Sequence, residues 1–288
     1  MFKTSWFFLL FYIASGCGNF GKLDFIARLP NALKENSGIA YYPESGSLWL
    51  VEDNGNKDII YNVDFKGNIM KELEVKNAKN HDWEDLTTDK KGNLYIGDFG
   101  NNDNDRKNLV IYKLPNPNSK SGKKIRAQQI KFNYPEQEGF PPGRHRKLFD
   151  AEAFFHHGSH LYIITKNRAN PFTGEAMIYK VPDRPGDYKA KLLGRIKTCG
   201  DWDTCQVTSA DISPNGKDIV LLGYGKLWSL SNFDLATDDF TKVKSREIDL
   251  DVRTQLESVC FKDNTSLFLS DEEQHKLGRN LYSYNFKR

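Results

Sequence analysis

Three glutamates each begin one copy of a short repeated sequence segment, called a phrase here, and they are the residues with the clearest capacity for chemistry. Glu84, Glu152 and Glu257 each open a short apolar run that ends in a turn. Ser37 and Thr208 hold the equivalent position in two further copies of the phrase. Carboxylate and hydroxyl oxygens suit a hard cation such as Ca²⁺, which takes six to eight oxygen ligands. If the five copies converge, their first residues can hold a metal ion.

The sequence leaves three explanations for such a cluster open. Several carboxylates aimed at one point repel one another unless positive charge compensates them. A central cation would do so, as would arginines and lysines of the rim. Alternatively, each glutamate ties neighbouring repeats together through backbone N–H groups, or the acids are catalytic. For the metal hypothesis, the candidate Ca²⁺ ligands are Glu84, Glu152, Glu257, Ser37, Thr208 and Asp98.

A second set of residues has side chains suited to acid–base catalysis or anion binding. A carboxylate in the cluster could act as general base, and a loop histidine could exchange protons. An arginine beside them would hold an anion. The catalytic candidates are therefore Glu84, Glu152, Asp150, His81, Arg106 and Arg168. For His81, an exposed loop histidine without a role is the alternative.

These residues recur because the chain repeats one structural unit five times. The copies begin at Ser37, Glu84, Glu152, Thr208 and Glu257. Each contains a predicted strand, a turn, a second strand and a third, and four copies have a fourth strand. Units of four strands that recur every 40–50 residues or so, roughly the spacing seen here, are typical of β-propeller blades.

The sequence therefore predicts an all-β fold, a five-bladed β-propeller with four antiparallel strands in each blade. The last copy ends after three strands, and a strand from Leu23 to Leu29 precedes the first copy. This N-terminal strand would complete the last blade and remove an exposed sheet edge. A six-bladed ring would need a whole blade between Lys113 and Asp150, where only one strand is convincing.

Strand direction predicts which face carries function. In an antiparallel blade, the start of the first strand and the end of the second lie on one face, called the top face here. The first residues of the five copies would ring the mouth of the central channel on that face. Second-strand ends and entering loops add further rim residues: Glu52, Asp53, Asp98, Lys166, Arg168, Tyr224, Asp271 and Glu272, with His81, Asp82, Trp83, Arg144, His145, Arg146 and Asp150. Trp83 is either a stacking platform for a ligand or a wedge between blades.

The N-terminus has the pattern of an export signal. Lys3 precedes an apolar run from Trp6 to Ile13, which is too short to span a bilayer. The small residues before Cys17 resemble the bacterial lipoprotein signal, in which that cysteine becomes the lipidated first residue. A lipid on Cys17 would anchor the protein to a membrane of the bacterial cell envelope, facing the periplasm or the outer surface. Simple secretion is the alternative.

The predicted organisation is a signal peptide over residues 1–16, a tether over 17–22 and a single propeller domain over 23–288. Cys199 and Cys205 bracket a short polar loop, and in an oxidising compartment we expect them to form a disulfide. Basic side chains number 41 against 38 acidic ones, which gives no bulk charge for nucleic-acid binding. We expect a monomer that reaches the membrane through its lipid alone.

The opening phrases of the copies resemble those of the SdiA-regulated propeller family of exported bacterial proteins. The likeness is carried by Ser37-Gly38-Ile39 and by the glutamates at 84, 152 and 257. It implies a five-bladed ring with a metal-binding channel. The acid-led blades are also similar to those of calcium-dependent apyrases, five-bladed nucleotide hydrolases with a central Ca²⁺, although the apyrase loop motifs do not match here.

Two functions fit these predictions. The first is a lipid-anchored binding module with a Ca²⁺-organised top face that recognises a small molecule, a glycan or a protein. The second is a metal-dependent hydrolase of phosphate esters or lactones, in which the metal activates water or polarises the substrate. Propellers host both kinds of activity, so the fold does not choose between them.

Overall fold

Five β-sheets stand in a ring around a central axis. The computed structural model describes residues 20–286, and the predicted all-β, five-bladed β-propeller is confirmed. The first strand of each blade packs against the first strand of the next, and the fifth packs against the first. The ring therefore closes with five blades, and a sixth blade is excluded.

The strands are numbered in chain order, and the N-terminal strand belongs to blade 5. Their bounds are β1 (Asp24–Arg28); in blade 1, β2 (Asn36–Tyr42), β3 (Ser47–Glu52), β4 (Ile59–Val63) and β5 (Ile69–Lys76); in blade 2, β6 (Trp83–Thr88), β7 (Leu94–Asp98), β8 (Val110–Leu114) and β10 (Gln128–Asn133); in blade 3, β11 (Asp150–His157), β12 (His160–Lys166), β13 (Glu175–Pro182) and β15 (Lys191–Lys197); in blade 4, β16 (Ser209–Ile212), β17 (Ile219–Gly223), β18 (Lys226–Ser231) and β19 (Lys244–Asp249); and in blade 5, β20 (Leu256–Phe261), β21 (Ser266–Asp271) and β22 (Asn280–Asn285). Two short strands, β9 (Lys124–Arg126) and β14 (Gly186–Lys189), follow β8 and β13 in the chain. Three short 3₁₀ helices lie at Asn31–Leu33, Pro117–Ser119 and Arg144–Arg146.

Blades 1 and 2 each carry a fifth strand that the sequence did not predict. β9 crosses from blade 2 to pair in parallel with β5 of blade 1. β14 crosses from blade 3 to pair in parallel with β10 of blade 2. β9 has three residues and β14 has four, so neither is long enough to show the hydrophobic alternation by which a strand is recognised. The segment from Lys113 to Asp150 thus holds two outer strands of neighbouring blades.

The N-terminal strand closes the ring as predicted. β1 pairs antiparallel with β22, and Phe25 lies opposite Tyr282. Ala27 and the flanking Leu23 and Leu29 are buried. Blade 5 is therefore completed by residues from the opposite end of the chain, and its outer edge is covered.

Apolar side chains between neighbouring blades form the core. All six residues of β20 are buried, because a first strand has neighbours on both of its faces. Outer strands alternate instead, as in β10, where Ile130 and Phe132 are buried between exposed residues. Trp83 is completely buried in the cluster between blades 1 and 2, and its Nε1 donates to Lys79 O at 3.1 Å. Trp83 is thus a wedge between blades and does not face a ligand.

The disulfide predicted between Cys199 and Cys205 is confirmed. Cys199 and Cys205, whose Cα atoms lie 5.4 Å apart, form a disulfide, and Cys260 is a buried thiol. The lipidation predicted at Cys17, like the signal peptide before it, lies outside the described residues. Among residues 20–286, no helix has the length and apolar character needed to cross a bilayer.

Candidate functional site

The top face has the arrangement that strand direction predicts. Trp83, at the start of β6, lies opposite Asp98, at the end of β7. Asp150, at the start of β11, lies opposite Lys166, at the end of β12. The acids that begin first strands and the residues that end second strands therefore meet at one mouth of the channel.

A β-bulge occurs at the leading residue in four of the five blades. The ladder between first and second strands shifts between Trp83 and Asp85, so Glu84 has no residue directly opposite it. The same shift passes over Ser37, Glu152 and Glu257. A bulge bends the strand and redirects the extra residue's side chain. Because of the bulges, the glutamate side chains do not follow the strict alternation of side-chain direction in the rest of their strands.

The three predicted glutamates are buried close enough to influence one another. Glu84, Glu152 and Glu257 are 7%, 4% and 8% exposed. Burial raises the pKa values of Glu152 and Glu257 to about 7 each, and the positive charge of Lys166 limits the rise in both. Burial raises the pKa of Glu84 well above its usual value, and the charge of Glu152 raises it further. The mouth thus concentrates carboxyl groups out of contact with bulk water, where the ionised form of each is disfavoured.

One half of the mouth compensates its own charge. The Lys166 ammonium binds Glu152 Oε2, and Arg168 Nη2 donates to Glu152 Oε1 at 2.8 Å. Arg168 Nε also donates to Asp150 Oδ2 at 2.7 Å. The Tyr224 hydroxyl donates to Glu257 Oε1 at 2.9 Å and accepts from Lys166 at 3.2 Å. This group is called the paired half, because each of its carboxylates has a donor.

The other half consists of three carboxylates, here called the acidic triad. One oxygen from each of Asp53, Asp82 and Glu84 lies within 4.8 Å of the others. Burial, together with the like charge of Asp82, raises the pKa of Asp53 to about 7, and burial also raises the pKa of Asp82, against the opposing charge of Arg106. In residues 20–286, no cation or hydrogen-bond donor contacts the Glu84 carboxylate. The triad is thus a set of oxygen ligands in which Glu84 has no positive partner in contact.

Gly100 makes room for the acidic triad. A Cβ built on Gly100 would lie 2.0 Å from Glu84 Oε1 and 2.4 Å from Asp82 Oδ2, far inside van der Waals contact. The Gly100 amide donates to Asp82 O at 3.3 Å. The two carboxylates therefore rest against bare backbone, and any side chain at position 100 would displace them.

Asp98 supports the triad from behind and does not join it. Its carboxylate accepts from the Asp82 amide and from Arg106 Nη2, both at 3.0 Å, and from the Tyr112 hydroxyl at 3.3 Å. His81 Nδ1 lies 3.0 Å from its second oxygen. Arg106 also donates to Gly100 O at 2.6 Å. Four partners contact Asp98, which positions the Asp82 backbone, and its role as a metal ligand stays a prediction. Asp53 and Asp82, and not Asp98, have carboxylate oxygens grouped with that of Glu84.

The two predicted hydroxyl ligands serve as ties between blades. Ser37 Oγ donates to Trp83 O at 2.6 Å, and Thr208 Oγ1 donates to Leu256 O at 2.7 Å. Each hydroxyl thus reaches the first strand of another blade, one residue before its glutamate. Ties between blades were one of the explanations considered for the glutamates, and here Ser37 and Thr208 make such ties. Glu152 and Glu257 instead bind side chains.

The catalytic candidates divide between the two halves of the mouth. Glu152, Asp150 and Arg168 belong to the paired half, while Glu84 belongs to the acidic triad. His81 and Arg106 lie behind the triad, where both contact Asp98. The predicted rim residues Arg144, His145 and Arg146 form an exposed 3₁₀ turn. Within the described chain, no hydrogen bond or ion pair joins their side chains to the acids of the channel mouth, and Arg146 lies 3.8 Å from Glu138 instead.

Two acids within the channel, the buried Asp85 and the half-buried Asp211, had no sequence signal as functional residues. Asp85 accepts from the Ser209 hydroxyl at 3.1 Å and from the amides of Phe154 at 3.2 Å and Ala210 at 3.4 Å. It thereby joins blades 2, 3 and 4 across the axis. Asp211 accepts from the Phe261 amide of blade 5 at 2.7 Å. Below the mouth, these two acids therefore link the first strands of different blades through hydrogen bonds.

Comparisons with known proteins give similarity of structure only. No protein-family model and no curated protein matches the chain. The hydrazine synthase of Kuenenia stuttgartiensis shares 13% identity, with coverage of 85% of this chain and 58% of that chain and a TM-score of 0.43. The periplasmic gluconolactonase PpgL of Pseudomonas aeruginosa shares 11% identity, with coverage of 86% and 85% and a TM-score of 0.45. This chain thus spans less than two thirds of the hydrazine synthase chain, and the resemblance to the SdiA-regulated family stays a prediction.

Proposed function

We propose that this protein is a Ca²⁺-dependent binding module, in which the acidic triad holds the cation and the top face recognises a small-molecule, glycan or protein ligand. The observation that carries the proposal is the Glu84 carboxylate. It is 93% buried beside two other carboxylates, and within the described chain nothing positive contacts it. A buried anion without a partner is strongly unfavourable. Without a cation, Glu84 avoids that cost by holding a proton, as its raised pKa indicates. A bound cation would stabilise the ionised carboxylate in place of that proton.

The donor set of the triad suits Ca²⁺. Asp53, Asp82 and Glu84 supply oxygen atoms only, and hard cations prefer oxygen. Zinc and copper sites usually contain histidine or cysteine, and the nearby His81 is engaged with Asp98. Three carboxylates leave several of the six to eight Ca²⁺ positions for water, carbonyl groups or a ligand. Oxygen atoms of a bound ligand would take some of those positions.

The phosphate-ester form of the hydrolase alternative needs an arginine that is free to hold the anionic substrate. Arg106 instead binds Asp98 and the Gly100 carbonyl, and Arg168 binds Asp150 and Glu152. Lys166 is likewise occupied by Glu152. Because the cations at the mouth are neutralised by carboxylates, the mouth attracts cations and repels a phosphate ester. This balance favours the binding module over a phosphate-ester hydrolase, and the lactone assay below tests the other form of the alternative.

The membrane anchor belongs to the same proposal. A lipid on Cys17 would hold the propeller at the surface of the cell envelope, where free Ca²⁺ is available. Mass spectrometry of protein purified from bacterial membranes would detect the acyl groups on Cys17. Recovery of the unmodified protein in the soluble fraction would refute the anchor without affecting the cation site.

Calorimetric titration of chelator-treated protein with Ca²⁺ tests the cation site. We expect one site in the native protein and at least a roughly tenfold loss of affinity in Glu84→Gln, because one charged ligand is removed. Glu44→Gln, in an exposed turn after β2, is the matched control and should bind as the native protein does. Equal affinity in all three proteins, or no heat of binding, would refute the cation site. Assays with p-nitrophenyl phosphate and lactones, with and without EDTA, test the hydrolase alternative.

A further inference from the structure

A basic groove lies outside the channel mouth, along the outer strands β8 and β10 of blade 2, and its lining comes from both faces of that sheet. Val110 and Tyr112 pack in the core cluster shared by blades 1 and 2. Lys131 and Gln129 lie opposite them on β10, and residues opposite each other share a face of the sheet. Both β10 side chains are exposed, and Gln129 Nε2 donates to Asn77 O, just after β5 of blade 1, at 2.9 Å.

The groove is large enough for a small ligand. One depression of about 620 Å³ runs from His81 to Lys189, and an adjoining one of about 430 Å³ continues toward Phe140. The two share Lys107, Leu109, Phe132, Asn133 and Lys189 as lining residues. Binding sites for small molecules commonly have volumes of about 300–1,000 Å³. None of the channel-mouth acids lines either depression.

Three lysines give the groove its charge. Lys107, Lys131 and Lys189 are all exposed, and within residues 20–286 no carboxylate forms an ion pair with any of them. Lys107 lies over the Phe140 ring, with Nζ 4.9 Å from its centroid. Asp187 is the one acid among the residues that line the two depressions. The local charge is therefore positive, in contrast to the channel mouth, and it would attract an anion.

The rest of the lining is suited to hydroxyl groups above an apolar floor. Leu109 and Phe132 are buried at the base of the groove. The side chains of Asn108 and Asn133 offer amide donors and acceptors, and both residues are exposed. A ligand that presents a ring face, several hydroxyls and a negative group would match all three parts of this lining.

We infer that this groove binds an acidic sugar, whose carboxylate or phosphate lies among Lys107, Lys131 and Lys189 and whose hydroxyls meet the amides. A peptide that adds a strand to a sheet would need a long free edge, whereas the outer strand here, β14, has four residues. The inference stands apart from the cation site, because the groove and the acidic triad have no residue in common.

Saturation-transfer NMR and calorimetric titration of the mature protein test the groove with four probes. Digalacturonate and glucose 6-phosphate present the two forms of acidic group, and maltose and glucose are neutral. We expect at least one acidic sugar to bind roughly tenfold or more tightly than its neutral counterpart. Which acid binds better tells whether carboxylate or phosphate is preferred. Binding should persist in EDTA, which separates this site from the proposed cation site.

Paired lysine variants locate the binding. Lys131→Gln with Lys189→Gln should lower the affinity for the acidic sugar by roughly tenfold or more. Lys66→Gln with Lys217→Gln removes two exposed lysines from turns of blades 1 and 4 and should leave it unchanged. All four residues are exposed, so both double variants should fold. The inference is overturned if neither acidic sugar binds at about 10 mM, if neutral sugars bind as well, or if both double variants behave as the native protein does.

Discussion

At the scale of single residues, the account depends on how buried carboxylates at the channel mouth are compensated. Glu152 has a lysine and an arginine, and Glu257 has a tyrosine hydroxyl. Glu84 has two further acids and the bare backbone of Gly100. Lone buried charges are unfavourable unless paired or bound to a metal. The difference between these glutamates is therefore the residue-scale argument for a cation.

Gly100→Ala should disable the cation site without removing any of its ligands. The added methyl group would meet Glu84 Oε1 at 2.0 Å, so the carboxylates must move apart. We expect a loss of Ca²⁺ affinity of roughly tenfold or more in calorimetry. Gly143→Ala is the matched control, since a Cβ there meets no atom within 4 Å. Native affinity in Gly100→Ala would show that Ca²⁺ does not bind between Glu84 and Asp82.

Asp211 should make stability fall as pH rises from about 4 to 7. Burial raises the pKa of Asp211 from 3.8 to about 7, so the folded protein holds a proton that the unfolded chain releases in this range. The stabilisation is present below the unfolded pKa and is lost as pH rises through the folded pKa. The charge of Asp211 also acts on the buried thiol of Cys260, together with Asp85.

Denaturant unfolding of the native protein and Asp211→Asn at several pH values measures this effect. Other buried acids titrate in both proteins, so the informative quantity is the difference between their free energies of unfolding. We expect that difference to change by up to about 4 kcal/mol between pH 4 and 7. Asparagine cannot release a proton, so the variant should show the flatter profile. Parallel profiles would contradict the raised pKa of Asp211.

At the scale of elements, the bulges in the first strands do the positioning. Glu84, Glu152 and Glu257 all stand where the ladder to the second strand shifts by one residue. A regular strand would continue its strict alternation through these positions. The repeated sequence segment thus corresponds to a β-bulge in four of the five blades, and in three of them the bulge directs a glutamate to the mouth.

Truncation of the closing strand tests how the ring is held. A chain that begins at residue 30 lacks β1 and loses the buried Leu23, Ala27 and Leu29. Burial of each leucine stabilises the fold by about 1.5–3 kcal/mol, so the free energy of unfolding should fall by at least about 3 kcal/mol. The exposed edge of β22 should also promote aggregation. A chain that begins at Phe20 is the control, and equal denaturation midpoints for the two chains would contradict the role of β1.

At the scale of the whole molecule, five similar blades around one axis bring distant residues together. Asp53 and Glu84 belong to blades 1 and 2, and the paired half joins blades 3, 4 and 5. The closed ring thus divides its mouth into a compensated side and an acidic side. The basic groove lies apart from both, on the outer part of blade 2. One fold would then offer a cation site and a separate anion site.

The repeats made the ring and its functional face predictable from sequence. Five phrases at blade spacing predicted the five blades, and strand direction placed the glutamates at one mouth. The sequence could not show that Asp53, rather than Asp98, joins Glu84, because both end second strands. Which carboxylate points into the mouth depends on bulges and on competing donors such as Arg106. β9 and β14 were missed because they are short and paired with other blades.

The most direct test of the central claim is a crystal structure of the protein grown with Ca²⁺, with anomalous scattering used to locate the ion. We predict a single strong peak at the channel mouth, within coordination distance of oxygen atoms of Asp53, Asp82 and Glu84. A mouth without a peak at saturating Ca²⁺, or a Glu84 carboxylate turned toward Lys166, would contradict the account.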